Sequence, residues 1–111
     1  MAKYRLLAVT NAVAGQDQEL NSWYDSRHVP DVLSVPGVVS AQRFRVPAGL
    51  EGPFTWRYLT LYELDTLDVN AVLQELGVRF GTPVMPATDA LDRASAGAVI
   101  LEEIGDVVRR G

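Results

Sequence analysis

Residues 23–36 read WYDSRHVPDVLSVP, and residues 37–46 continue GVVSAQRFRV. The first stretch holds the only histidine, His28, beside Trp23, Tyr24, Asp25, Arg27 and Asp31. Upstream of it, Gln16 to Arg27 reads as a helix. Leu20, Trp23, Tyr24 and Arg27 share one face, while Gln18, Glu19, Asn21, Ser22 and Asp25 face away. Pro30 is expected to stop that helix, because a proline pushes the residue before it, here Val29, out of the helical region. Pro30 also suits the first position of a new turn, with Asp31 at its positive end. The expected shape is a helix ending near His28, a kink, and a short second helix through Leu33. In that setting a helix dipole would raise the His28 pKa and burial would lower it. Asp25 and Asp31 each lie three residues from His28, within reach as orienting partners.

Working outward, Lys3 to Ala12 reads as a strand covered on both faces. Asn11 closes it, either capping the turn or projecting its amide into a pocket. Ala14–Gly15 breaks the strand. Gly37 to Val46 reads as a second strand with Val38, Ser40, Gln42, Phe44 and Val46 on one face. Val39, Ala41, Arg43 and Arg45 share the other, where two arginines are expected to be solvated or carboxylate-paired, with an anion-binding wall as the alternative. Pro47 to Phe54 is a Gly- and Pro-rich loop. Thr55 to Leu64 reads as the third strand, with Trp56, Tyr58, Thr60, Tyr62 and Leu64 aligned. That hydroxyl-tipped aromatic face is a candidate pocket floor, and cross-strand aromatic packing is the plainer reading.

Beyond it, Asp65 to Asp68 offer several helix caps. Val69, Val72, Leu73 and Leu76 form a helical stripe that Gly77 is placed to end. Val78 to Arg93, punctuated by Gly81, Pro83 and Pro86, reads as irregular; Met85 and Leu91 are expected to help cover the core, and the segment suits a lid or dimer contact. Ser95 to Ile104 is the last strand. The order β-α-β-β-α-β gives an α+β, ferredoxin-like domain over residues 1–111: a four-stranded antiparallel sheet with helices on one face. The other face of so apolar a sheet is expected to pair with a second copy.

Composition narrows the function. With 111 residues, 48% of them hydrophobic, the chain makes one ordinary globular domain. A net charge of −4 without a basic stripe argues against nucleic acid and anionic membranes as partners. Having no cysteine excludes disulfides, thiolate metal sites and cysteine nucleophiles, and one histidine disfavours a His-rich metal site. No run approaches the roughly 20 apolar residues of a membrane span, and the N-terminus does not read as a signal peptide. The expectation is a cytoplasmic protein.

The element order together with WYDSRHVPDVLSVPGVVSAQRFR resembles the dimeric α/β-barrel superfamily, most of all its EthD-like branch. The residues carrying the resemblance are Trp23, Tyr24, His28, Pro30, Leu33, Pro36 and Gly37, and it is sharp from Asn11 to Arg45. It implies a barrel-like dimer with a mostly apolar pocket in each subunit. Relatives include polyketide cyclases, cofactor-free monooxygenases and haem-degrading enzymes. The oxygenase relatives use an Asn, a Trp and a His, types matched here by Asn11, Trp56 and His28. This chain departs from them in carrying its His on the first helix.

The residues support two functional expectations. The first is a cofactor-independent enzyme acting on a hydrophobic aromatic or polyketide-like carbonyl compound. His28 would be the general acid or base, Asp25 or Asp31 its orienter, and Tyr58, Tyr62 or Asn11 a hydrogen-bonding partner of the carbonyl. Trp23, Tyr24 and Trp56 would complete the binding wall. The second is a non-catalytic ligand-binding or accessory protein with the same pocket; a cofactor-free monooxygenase and a purely structural dimerisation module are the remaining alternatives.

Overall fold

The computed structural model describes residues 4–111; Lys3, the expected start of the first strand, lies outside them. The elements are β1 (Tyr4–Thr10), α1 (Asp17–Trp23), a π turn (Tyr24–His28), α2 (Val29–Leu33), β2 (Val38–Arg45), β3 (Tyr58–Leu64), α3 (Val69–Arg79) and β4 (Gly97–Glu102). The four strands form one antiparallel sheet in the order β2-β3-β1-β4. Tyr4 stands opposite Leu64 on one side and Glu102 on the other. The sheet is the expected four-stranded ferredoxin-like one, with the helices packed on one face.

That face carries the core. Leu6, Tyr62 and Leu64 from the strands meet Val32, Val35, Val72 and Met85, and a second cluster joins Leu20, Trp23, Tyr24, Tyr58 and Ala90. The alternation of β3 is clean: Tyr58, Thr60, Tyr62 and Leu64 are all buried. Trp56 precedes the strand rather than joining it, with its indole N–H given to the Ser95 carbonyl.

Three local readings are corrected. The helix does not break at Pro30. Val29 is helical (φ −62°, ψ −50°), and its N–H reaches back five residues to the Tyr24 carbonyl. In a regular α-helix the Pro30 ring would strike the Ser26 carbonyl and leave it without a donor. One turn ahead of Pro30 is widened to π register, and the chain stays helical from Asp17 to Leu33. His28 is therefore inside a helix, not at its end.

The second correction concerns β2. Its pairing with β3 slips between Val38 and Ser40. This bulge puts Val38 on the helix side together with Ala41 and Arg43, while Ser40 bonds Glu63 at 2.9 Å on the open face. Arg43 thus faces the core side, where it meets the Asp25 carboxylate at 3.6 Å, whereas strict alternation places it in one row with Val39. Third, Gly77 does not end α3, which continues to Arg79. The Asp68 carboxylate caps its start by accepting from the Ala71 N–H at 3.1 Å. The left-handed glycine comes later, at Gly81 (φ +84°).

Candidate active site

Between the sheet and the helices lies a cavity of about 370 Å³. Leu6, Ala8, Tyr62 and Ala98 floor it, His28 and Val32 form one wall, Leu73, Leu76 and Gly77 the other, and Phe80 and Met85 close one end. His28 and Tyr62 carry the side-chain polar atoms on this lining. Its size falls in the ordinary range for small-molecule sites.

The π turn aims His28 into this cavity. The imidazole stacks on Trp23, with centroids 4.4 Å apart and planes within 14°, and meets Tyr24 and Phe80 edge-on at 5.4 and 5.7 Å. Trp23 is itself fixed, donating its indole N–H to the Pro86 carbonyl at 3.0 Å. Burial against these rings lowers the His28 pKa to about 4, with the Asp31 charge opposing weakly. The ring is therefore neutral at pH 7. Its Nδ1 is buried and has no hydrogen-bond partner among the described residues.

The two aspartates stand elsewhere. Asp31 is engaged by Arg27, with contacts at 3.1 and 3.2 Å, and acts on His28 only through its charge. Asp25 is exposed and faces Arg43 at 3.6 Å. Among the described residues the imidazole is thus oriented by ring packing rather than by a carboxylate.

The tyrosines divide. Tyr58 donates to the Asp17 carboxylate at 2.6 Å and is committed to holding α1 on the sheet. Tyr24 contacts the Thr10 hydroxyl at 3.5 Å and carries the Arg43 guanidinium over its ring at 4.2 Å. Tyr62 is fully buried and its hydroxyl has no partner in hydrogen-bonding geometry among the described residues. Burial pushes the Tyr62 hydroxyl well up from its ordinary pKa; nearby Tyr24 adds to this, and Arg43 and Thr60 oppose it. It is a donor that stays protonated.

Asn11 is used for structure. It accepts from the Arg57 N–H at 2.8 Å and donates to the Thr55 carbonyl at 3.1 Å, pinning the entry to β3. With Trp56 it borders a separate, smaller hollow of about 120 Å³. Sequence reasoning does not pick out Gly77 and Phe80 as cavity walls. The Gly and Pro punctuation around residues 77–86 is the available signal, because it marks a segment that folds back over the core.

No protein-family model matches the chain, and no curated protein matches its sequence. Solved structures do match. A candidate monooxygenase from Shewanella loihica PV-4 aligns over 95% of this chain and 97% of its own, with TM-score 0.62 and 12% identity. A variant of MhuD, crystallised with two manganese protoporphyrin IX molecules per active site, aligns over 96% and 99%, with TM-score 0.63 and 17% identity. An EthD family protein from Bacillus halodurans C-125 aligns over 92% and 99%, with TM-score 0.57 and 18% identity. The likeness is one of fold. One of the three is an EthD family protein, so the ferredoxin-like fold that the resemblance implied is one this chain shares with a member of that family. At these identities their ligands and reactions remain properties of those proteins.

Proposed function

We propose that the chain is a cofactor-independent enzyme that moves a proton on a hydrophobic aromatic or polyketide-like carbonyl compound, in a cyclisation, dehydration or isomerisation. The observation that carries this reading is His28 lining the apolar cavity as a neutral imidazole whose Nδ1 has no partner among the described residues. A neutral imidazole accepts a proton. Its low basicity suits a hydrogen already acidified by a carbonyl conjugated with an aromatic ring. Tyr62, protonated and with no partner in hydrogen-bonding geometry among the described residues, is the donor available to the carbonyl oxygen as it gains negative charge. Trp23 holds the base in place. Because the fold is shared with oxygenases and with EthD proteins, the alternative is a cofactor-free monooxygenase or a binding protein that uses the same cavity.

The working form in this reading is a cytoplasmic homodimer. Leu7, Val9, Leu59, Leu61, Phe44, Val99 and Leu101 alternate with the core residues and occupy the sheet face away from the helices. An apolar surface of that extent supports pairing with a second copy. Among the described residues no helix is long and apolar enough to cross a membrane.

The test is hydrogen–deuterium exchange α to the carbonyl, followed by NMR in D₂O across a panel of aromatic ketones. The wild-type protein is expected to accelerate exchange of at least one compound. His28→Ala should lose at least about 100-fold of that acceleration while keeping its circular dichroism spectrum. If no compound exchanges faster with wild type than with His28→Ala, the enzyme reading is wrong.

A further inference from the structure

Charged side chains line the other hollows of this chain and stay out of the one that holds His28. Among the described residues, the hollow beside Asp25 takes in Arg43 and Arg45, that beside Gly37 takes in Asp65, Glu75 and Arg79, and that beside Trp56 takes in Glu51 and Arg57. The His28 cavity is lined by no Asp, Glu, Lys or Arg. Gly77 and Ala98 are the exposed members of its lining and mark its mouth. Deeper in, the side chains are apolar apart from His28 and Tyr62.

Those two side chains can ionise, and they would carry opposite charges. Burial lowers the His28 imidazole to a pKa of about 4, with Asp31 opposing, so the ring resists a positive charge at pH 7. Burial pushes the Tyr62 hydroxyl well up, with Tyr24 adding and Arg43 and Thr60 opposing, so it resists a negative one. The field of a nearby ion favours one sign as it disfavours the other; loss of water disfavours both. A ligand taken to the same depth meets the same penalty. A carboxylate or ammonium enclosed there would shed its water and face no side chain of opposite charge. Answering an anion by protonating His28 at pH 7, about three units above its midpoint, would weaken binding about a thousandfold.

We infer that the cavity selects its ligands by charge and takes them in uncharged form: aromatic or polyketide-like ketones, aldehydes, esters and lactones, and not the corresponding acids or amines. This rests on the reading of the cavity as a ligand site and deepens it. It does not require His28 to be a base. It is compatible with that role, because proton transfer inside the cavity conserves charge. The C–H bond breaks, its electron pair passes to the carbonyl oxygen, and the proton goes to the imidazole. An enolate and an imidazolium then form together from two neutral partners, and their charges sum to zero.

The experiment is equilibrium dialysis of wild type at pH 7 against four naphthalenes of similar size. Methyl 2-naphthoate and 2-acetylnaphthalene are neutral, 2-naphthoate is an anion and 2-naphthylmethylammonium a cation. Both neutral compounds should bind, and each ion should bind at least about tenfold more weakly than the ester. A charge placed at the mouth separates electrostatics from shape. Ala98→Lys, at an exposed position, should gain affinity for 2-naphthoate several-fold and none for the ammonium. Ala98→Gln, the uncharged control, should gain affinity for neither. Wild type binding either ion as tightly as the ester, a folded Ala98→Lys that gains no affinity for 2-naphthoate, an equal gain by Ala98→Gln, or no saturable binding of either neutral compound would each overturn the inference. Should Ala98→Lys fail to fold, the four-compound comparison in wild type decides it. A failure of the catalytic reading looks different: 2-acetylnaphthalene would bind and the ions would not, with no acceleration of exchange at its α hydrogens.

Discussion

The imidazole of His28 lies flat on the indole of Trp23, 4.4 Å away, and Trp23 is tied through its N–H to Pro86 in the segment that covers the cavity. The indole therefore reports the charge of the base. With Trp56 replaced by Phe to silence the other indole, Trp23 fluorescence should titrate with a midpoint at about 4, where His28 gains its proton. His28→Phe should abolish that transition. The same group contributes to stability with a fixed sign. Its folded pKa is depressed, so the unfolded chain binds the proton more readily, and the native state loses stability as pH falls from about 6.5 through about 4. The loss from this residue is at most ~3 kcal/mol. Urea titrations at pH 7.5 and 4.5 should show wild type losing more than His28→Phe over that interval. Equal losses would mean that the imidazole is not desolvated.

Two glycines should respond in opposite directions to alanine. Gly37 has φ +98°, and a Cβ there would come within 2.9 Å of a Val72 methyl. Gly37→Ala should cost about 1–3 kcal/mol, from the strained backbone and the contact with α3. Gly77 sits inside α3, and a methyl group there would meet nothing within 4 Å. Gly77→Ala should stabilise the helix by about 0.5–1 kcal/mol. Since Gly77 also lines the cavity, that substitution should weaken the binding of bulky ligands even as the melting temperature rises.

On the open face of the sheet, Phe44 is 44% exposed and stands opposite Leu59, next to the Gln42–Leu61 pair. A charge placed there strikes any sheet-to-sheet contact and leaves the core untouched. Phe44→Glu should convert the proposed homodimer to a monomer in sedimentation velocity at micromolar concentration, with little change in circular dichroism. If wild type sediments as a monomer under those conditions, the dimer proposal fails.

The fold is legible in the sequence because its signals are periodic. The alternation of TWRYLTLYEL fixes the inward face of β3, and the Val69–Leu76 stripe fixes α3. Departures from period are not legible. Nothing in the Val38–Val39–Ser40 sequence announces a bulge, so strict alternation puts Arg43 in one row with Val39 rather than on the face away from it. Pro30 reads as a helix end because a proline gives the same local signal whether a helix stops or widens. His28 stands out as a lone imidazole among aromatics. Phe80 does not, because it reaches the ring only through the tertiary path of the segment after α3.

The β2 bulge has one more consequence. A sheet in the order β2-β3-β1-β4 has two edges, and unpaired edges template aggregation. On β2 the register slip and the arginines at 43 and 45 spoil the template for an incoming strand. The opposite edge, GAVILE in β4, is regular and short, ends in Glu102 and is followed by Glu103. The two borders of the sheet are thus guarded by different devices, distortion on one and brevity with charge on the other.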